Sequence, residues 1–278
     1  MVIPTQTPGQ IRDSWDRIAP GFDEFATPIT MTLADDVLRR VGVGPGTRFL
    51  DVAAGSGALS IPAARLGAEV LATDVAPTMI ERLNTRARQE GLTNLEGRVM
   101  DGHALQLDND SFDVTASQNG VSLFPDLPRG LREMVRVTRP GGQVVVVAFG
   151  SPQRSEFLGF FLAALRAAIP GFTGLPMDPP PLPFQVADPE KLREHLTAAG
   201  LRDLRIETAA WQMPFESGRH LWDVSTSSNP IGAMLVADLS PQQTAEVQHV
   251  LAGMLRERSG GRPGAVLTAD MNIGVGTK

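Results

Sequence analysis

Two carboxylates frame the stretch of this chain best suited to holding a small ligand. Asp51 ends the apolar run that starts at Arg48-Phe49-Leu50, and the residues after it, Val52-Ala53-Ala54-Gly55-Ser56-Gly57, are mostly small enough to let a ligand lie against the backbone. Asp74 ends a second apolar run, Glu69 to Thr73, and lies 17 residues beyond Gly57. Each pattern reads as a strand turning into a helix: Ala58 to Leu66 after the first, and a helix opened by Ala76-Pro77 and running through Met79, Ile80 and Leu83 after the second. A carboxylate about 20 residues past a glycine turn is placed to accept both ribose hydroxyls of an adenosine ligand. Capping the following helix is the alternative use of Asp74. Gly55-x-Gly57 could open a dinucleotide fingerprint, but a pyrophosphate would then rest on the helix N-terminus, where a carboxylate at the strand end repels it. Asp51 suits a ligand that lacks phosphate and carries a positive amino group.

The elements that must position these groups alternate. A third strand, Leu95 to Met100, leads into Asp101-Gly102-His103, and a fourth, Ser111 to Gln118, leads into Asn119 to Phe124, expected to line a reaction cavity. A helix with Leu127, Leu131, Met134 and Val137 on one face ends at the turn Arg139-Pro140-Gly141-Gly142, which introduces Gln143 to Phe149, an apolar run suited to a doubly buried strand. This alternation predicts a parallel sheet with right-handed crossovers. Before it, Trp15, Ile18, Phe22 and Phe25 recur at helical spacing with Pro20-Gly21 expected to interrupt the helix, and Met31 to Val41 reads as a further helix.

After residue 150 the pattern changes. The sequence predicts a helix from Phe157 to Ile169, a stiff proline loop carrying Pro176 and Pro179 to Pro183, and a helix from Pro189 to Ala199 capped near Asp188 and stopped by Gly200. Strands follow at Leu201 to Ala210 and Ala265 to Val275. Between them, Trp211 to Pro263 holds Met213, Phe215, His220, Trp222, Met234 and Leu235 and a helix from Pro241 to Arg258. With the N-terminal segment and the Phe157 helix, this interval reads as an apolar cap over an acceptor site. The expectation is one domain over residues 1–278, with a core at about 35–150, 188–210 and 264–278 and cap segments at about 1–34, 151–187 and 211–263. His220, beside Trp222, is the candidate catalytic base, although a lone histidine in such a segment is more often a surface residue.

These motifs resemble the class I S-adenosylmethionine-dependent methyltransferases. Asp51 to Gly57 is similar to their D-x-G-x-G-x-G motif with Ala53 in place of the first glycine, and the run Ser111-Phe112-Asp113-Val114-Thr115-Ala116-Ser117-Gln118 resembles their F-D-x-V-x-x motif, as the R-V-T-R-P-G-G run at 136–142 resembles a later one. The run IRDSWDRIAPGFDEF at 11–25 resembles the F-x-x-I-A-P-x-Y-D opening of the ubiquinone and menaquinone C-methylating relatives, with Phe22 at the tyrosine position, where stacking is kept and the hydroxyl is lost. The resemblance implies a Rossmann-like doubly wound α/β sheet of seven strands, mostly parallel with an antiparallel last strand, plus a helical cap. It implies S-adenosylmethionine as cofactor and S-adenosylhomocysteine as product, held by Phe22, Asp51, Ala53, Gly55, Asp74, Val75, Met79, Asp101, Gly102, His103, Ser117 and Gln118. In that scheme Asp101 accepts from the adenine amino group, Ser117-Gln118 end beside the sulfonium, and Asp113 is structural. The implied activity is methyl transfer to the oxygen, nitrogen or carbon of a small, largely apolar molecule. A non-catalytic S-adenosylmethionine-binding protein and an NAD(P)-dependent oxidoreductase are the alternatives, and Asp51, Ala53 and the absence of tyrosine count against the second.

Composition sets outer bounds. The 278 residues include 25 basic and 31 acidic ones for a net charge of −6, with no basic run longer than a pair such as Arg39-Arg40, which argues against a nucleic-acid partner. A hydrophobic content of 42% suffices for a real core. No uninterrupted apolar segment reaches the ~20 residues a membrane span needs, and residues 1–10 lack a signal pattern, so a cytoplasmic protein without stable membrane insertion is expected. The absence of cysteine excludes disulfides, thiolate metal sites and a cysteine nucleophile, and no spacing of His103, His195, His220 and His249 suggests a metal site.

Overall fold

The structure is a computed structural model that describes residues 7–175 and 180–278. Its strands are β1 (Arg48–Val52), β2 (Glu69–Asp74), β3 (Leu95–Val99), β4 (Phe112–Gln118), β5 (Thr138–Phe149), β6 (Arg202–Phe215) and β7 (Ala265–Thr277). They form one sheet in the order β3-β2-β1-β4-β5-β7-β6, parallel except for β7, which is antiparallel to both neighbours. The expected mostly parallel seven-stranded sheet with an antiparallel last strand is therefore what the chain adopts. From β1 the chain winds outward to β3 and then returns to β4, so a crevice opens above the carboxyl ends of β1 and β4.

Helices cover the sheet: α1 (Pro8–Gly21), α2 (Thr27–Met31), α3 (Ala34–Arg40), α4 (Ser60–Arg65), α5 (Pro77–Gln89), α6 (Leu127–Val137), α7 (Glu156–Ala168), α8 (Pro189–Ala198), α9 (Gly218–Ser227), α10 (Pro230–Val236) and α11 (Pro241–Arg258). The valines of β5 explain its run of hydrophobes. Val145 and Val147 face one apolar cluster, with Phe49, Phe161 and Leu251, while Val144, Val146 and Ala148 face the other, with Leu131, Met134 and Leu192. Among the described residues, no helix is long and apolar enough to cross a membrane.

Four expectations are corrected. Pro20-Gly21 does not interrupt the first helix: α1 runs through Pro20, and the chain continues as one π-helical turn, Phe22–Ala26, straight into α2. A wider turn directly after a proline is a common way for a helix to absorb the missing donor and the ring's bulk. The helix expected over Met31 to Val41 is split at Thr32-Leu33, where the Thr30 and Thr32 hydroxyls bond to the backbone carbonyls of Ala26 and Ile29 and compete with the ladder. Arg139 to Gly142 is no separate turn but a bulge inside β5, since Phe112 pairs with Thr138 and Val114 already with Gln143. Finally, β6 continues past Ala210 to Phe215, with Trp211, Met213 and Phe215 facing inward; Pro214 is tolerated because β6 is an edge strand. Asp188 caps α8 by accepting from the Glu190 N–H, and α11 has the span expected of it. Pro176 and Pro179 lie outside the described residues.

Candidate functional site

The turn after β1 owes its shape to left-handed backbone. Ala53, Gly55 and Gly57 have φ of 56°, 55° and 99°. A side chain on Gly57 would press on Ile61 and Leu83, and one on Gly55 would stand 3.1 Å from the Phe22 ring, which roofs the loop. Gly120, just past β4, packs so closely that a Cβ there would lie 2.8 Å from the Ala53 carbonyl.

Both carboxylates are buried at this loop. Asp51 is 1% exposed, and its Oδ2 accepts from the Ser60 hydroxyl at 2.5 Å. Burial pushes its carboxyl up to about 7, against the Ser60 hydrogen bond and helped by the charge of Asp74. Asp74 is 8% exposed; its Oδ2 accepts from the Gly55 N–H and its Oδ1 from the Ala76 N–H, both at 2.9 Å. Burial pushes Asp74 upward too, opposed by those backbone donors. Each Asp74 oxygen keeps a lone pair for a ligand hydroxyl. Asp74 does not cap α5 with its side chain. That role falls to Asp16 of α1, whose Oδ1 accepts from the Thr78 N–H at 2.7 Å.

The N-terminal segment thus closes over the crevice. Trp15 and Phe22 meet edge to face at 6.2 Å and pack with Ala19, Ala76 and the buried Met79, while Val75, next after Asp74 in the chain, is half-buried. Asp23 pairs with Arg82 and Arg86 of α5 at 3.3 and 2.5 Å. The Thr27 and Ser56 hydroxyls are hydrogen-bonded at 2.5 Å, and Trp211 Nε1 donates to the Thr32 hydroxyl at 3.0 Å.

Beyond β3, Asp101 Oδ1 accepts from both the backbone N–H and the ring Nδ1 of His103, each at 2.9 Å. Burial raises the Asp101 carboxyl, but the His103 bonds and the Arg129 charge outweigh it and hold the group below its ordinary value. The His103 ring lies 4.4 Å from Phe124, and Phe124 also fills the space where Gly102 would carry a side chain. Asp113 takes the structural position expected of it, accepting from the Arg48 N–H and from the guanidinium groups of Arg48 and Arg139.

At the end of β4 the polar groups are unevenly served. Ser117 Oγ donates to the Val52 carbonyl at 2.7 Å and accepts from the Val121 N–H at 2.8 Å, tying β1 to the loop. Gln118 Nε2 donates to the Thr30 carbonyl at 2.9 Å, while Gln118 Oε1 and both side-chain polar atoms of Asn119 are buried without a partner among the described residues. An unmet buried polar group costs about 1–3 kcal/mol, which marks the place as one shaped for a ligand. Sequence reasoning placed Asn119 only at the start of a cavity-lining loop. Its polar isolation depends on packing that no local pattern encodes, as does the Asp16 cap.

A row of rings leads away from β5: Phe149 to Phe157 at 6.0 Å, Phe157 to Phe215 at 6.5 Å, Phe215 to His220 at 5.8 Å. His220 Nδ1 accepts from the Glu216 N–H at 3.2 Å. The neutral ring then carries its hydrogen on Nε2, which makes that nitrogen a donor and leaves the ring no free lone pair for base chemistry. The structure therefore gathers Phe22, Asp51, Ala53, Gly55, Asp74, Ser117 and Gln118 around the β1/β4 crevice, with Met79 under the Trp15 and Phe22 rings, Val75 next to Asp74 in the chain, and the Asp101-Gly102-His103 loop following β3 beside it.

Comparison with known proteins agrees with this geometry. A family described as a methyltransferase domain matches residues 50–146. An uncharacterised protein of Mycobacterium tuberculosis is 40% identical over 142 residues, 51% of this chain and 50% of that protein, so the chain spans about half the length of such curated relatives. A demethylmenaquinone methyltransferase of a Mycobacterium species is 31% identical over 212 residues, covering 74% of this chain and 87% of the relative. Among solved structures, phosphoethanolamine N-methyltransferase 2 of Haemonchus contortus in complex with S-adenosyl-L-methionine superposes with a TM-score of 0.54 at 18% identity, over 89% of this chain and 52% of that one.

Proposed function

Because the chain belongs to the class I S-adenosylmethionine-dependent methyltransferases of the quinone-methylating type, we propose that it transfers a methyl group from S-adenosylmethionine to a small, largely apolar acceptor. One observation carries this reading. Two buried carboxylates, Asp51 and Asp74, end neighbouring strands on either side of a left-handed loop roofed by Phe22. That arrangement fits a ligand with ribose hydroxyls and a cationic amino-acid end, and disfavours a pyrophosphate.

S-adenosylmethionine bound here would supply an activated methyl group on its sulfonium sulfur, so the chemistry would belong to the cofactor. The chain's own contribution is placement. Asp74 accepts from the ribose hydroxyls, Asp51 and the turn at Ala53 to Gly55 hold the amino-acid end, and the Asp101-Gly102-His103 loop meets the adenine. The N-terminal segment excludes water from above through Trp15 and Phe22, and the aromatic row from Phe149 walls the acceptor side. No general base is needed at His220, whose Nδ1 is already engaged. We assign the acceptor to the side of the crevice that faces Phe149 and Phe157, in a single domain acting in the cytoplasm without a nucleic-acid partner.

Replacing Asp74 tests the reading. With hydrogen bonds to a charged group worth about 1.5–3 kcal/mol each, Asp74→Ala is expected to weaken S-adenosylhomocysteine binding by about tenfold or more in calorimetry, with an unchanged circular dichroism spectrum. Unchanged affinity in a folded variant contradicts the assignment.

A further inference from the structure

Gln118 Oε1, Asn119 Oδ1 and Asn119 Nδ2 are consecutive along the chain, buried, and without a partner among the described residues. The orientation of the Gln118 amide is fixed, because only its NH2 end can donate to the Thr30 carbonyl, so the oxygen is the free end. Asn119 sits one step past β4 with φ of 55°, its N–H still bonded to the Val147 carbonyl at 2.8 Å. Its neighbour Gly120 is pressed against Ala53. The backbone is thus held from both sides of the crevice while the carboxamide it displays is left unmatched, an arrangement that makes sense when a ligand completes it.

The position selects which ligand. In the reading above, the adenosine end lies over β2 and β3, where Asp74 and the Asp101 loop serve it. β4 lies on the other side of β1, and β5 beyond it starts the row of half-buried rings at Phe149 and Phe157. The unmatched amides therefore stand between the methyl end of the cofactor cradle and an apolar wall. Two of the three atoms are acceptors and one is a donor, which complements a hydroxyl or amino group: its hydrogen meets Oδ1 or Oε1, and its lone pair meets the Nδ2 hydrogen.

We propose that the Asn119 carboxamide, with Gln118 Oε1, anchors the methyl acceptor, and that this acceptor is an apolar or aromatic body bearing an O–H or N–H group at or beside the methylated atom. The proposal rests on the methyltransferase reading. A carboxamide takes up no proton at neutral pH, so Asn119 orients the acceptor and does not deprotonate it.

The full chain is first titrated with S-adenosylhomocysteine and, once saturated, with 2-naphthol and with its ether 2-methoxynaphthalene, which lacks the O–H. The wild type is expected to bind the naphthol about tenfold more tightly than the ether, the effect of leaving a buried amide unpaired. Asn119→Gly, which accepts the same φ, should bring the two probes within about twofold of each other while S-adenosylhomocysteine affinity stays within about threefold. Asn119→Asp, which keeps acceptor oxygens and tolerates the left-handed backbone, should retain the preference. Equal binding of the two probes by the wild type, no binding of either, or an undiminished preference in Asn119→Gly overturns the proposal. So does a loss of about tenfold or more in S-adenosylhomocysteine affinity in that variant, which would assign the carboxamide to the cofactor. If the wild type fails to bind S-adenosylhomocysteine at all, the methyltransferase reading falls at the first titration, before any probe is added.

Discussion

Asp51 carries the clearest consequence at the scale of single residues, because burial moves its carboxyl from an ordinary value of 3.8 up to about 7. The folded chain then holds this proton more tightly than the unfolded chain does. The contribution is complete below about pH 4 and is lost as pH rises through about 7; burial of Asp74 acts in the same direction. The melting temperature of the ligand-free protein should accordingly fall between pH 5 and pH 8, and Asp51→Asn, a neutral mimic of the protonated acid that still accepts from Ser60, should flatten the profile. Parallel profiles for the two proteins would remove Asp51 as the source. Residue-scale legibility follows the reach of the contacts. Asp51, Gly55 and Asp74 are readable because strand, turn and helix are contiguous around them. Asp16 is not, since the N–H it caps lies 62 positions away, and Asn119 is not, since what distinguishes it is the lack of partners.

Among the elements, the segment from α1 through the π-helical turn to α2 has the most to do with access to the site. Its hold on α5 runs through the Asp16 cap, the Trp15 and Phe22 rings, and Asp23 between Arg82 and Arg86, with the Asp23 side chain only 20% exposed. Asp23→Ala leaves two half-buried guanidinium groups without that carboxylate, a cost of about 1–2 kcal/mol after allowance for solvent screening. Amide exchange over residues 8–26 should speed up by roughly tenfold while exchange in β1, β4 and β5 stays unchanged, since opening is local. Uniform acceleration across the sheet would show that Asp23 supports the fold as a whole and not this closure. The helices and strands up to residue 150 were legible because hydrophobic period and glycine punctuation agree there. The π-helical turn, the bulge at Arg139 to Gly142 and the extension of β6 were not, because each depends on a partner: the bulge lets Gly141 and Gly142 pair with Lys278, and β6 is carried on to Phe215 by pairing with Ala265.

For the molecule as a whole, the sheet order β3-β2-β1-β4-β5-β7-β6 places the carboxylates, the roofing rings and the unmatched amides at one edge of the sheet, above the carboxyl ends of the central strands. Sequence alternation was enough to foresee the parallel half, and the family resemblance supplied the antiparallel strand. The interval between β6 and β7 was visible only as an apolar stretch, because α9 takes its place by packing against α11 and α10 by packing against α9, contacts that no local pattern encodes. A ligand that binds only the folded chain stabilises all of it, so S-adenosylhomocysteine at about 100 times its dissociation constant should add about 2.7 kcal/mol. For a chain of this size that corresponds to a rise of roughly 5–10 °C in melting temperature. The most direct test of the central claim is a calorimetric titration of the purified protein with S-adenosylmethionine, S-adenosylhomocysteine and NAD in parallel. Saturable binding of both sulfur compounds at one site per chain, with no heat from NAD, is the expected result. Binding of NAD alone would mean that the pair Asp51 and Asp74 tolerates a pyrophosphate after all, and would contradict the assignment of this site to methyl transfer.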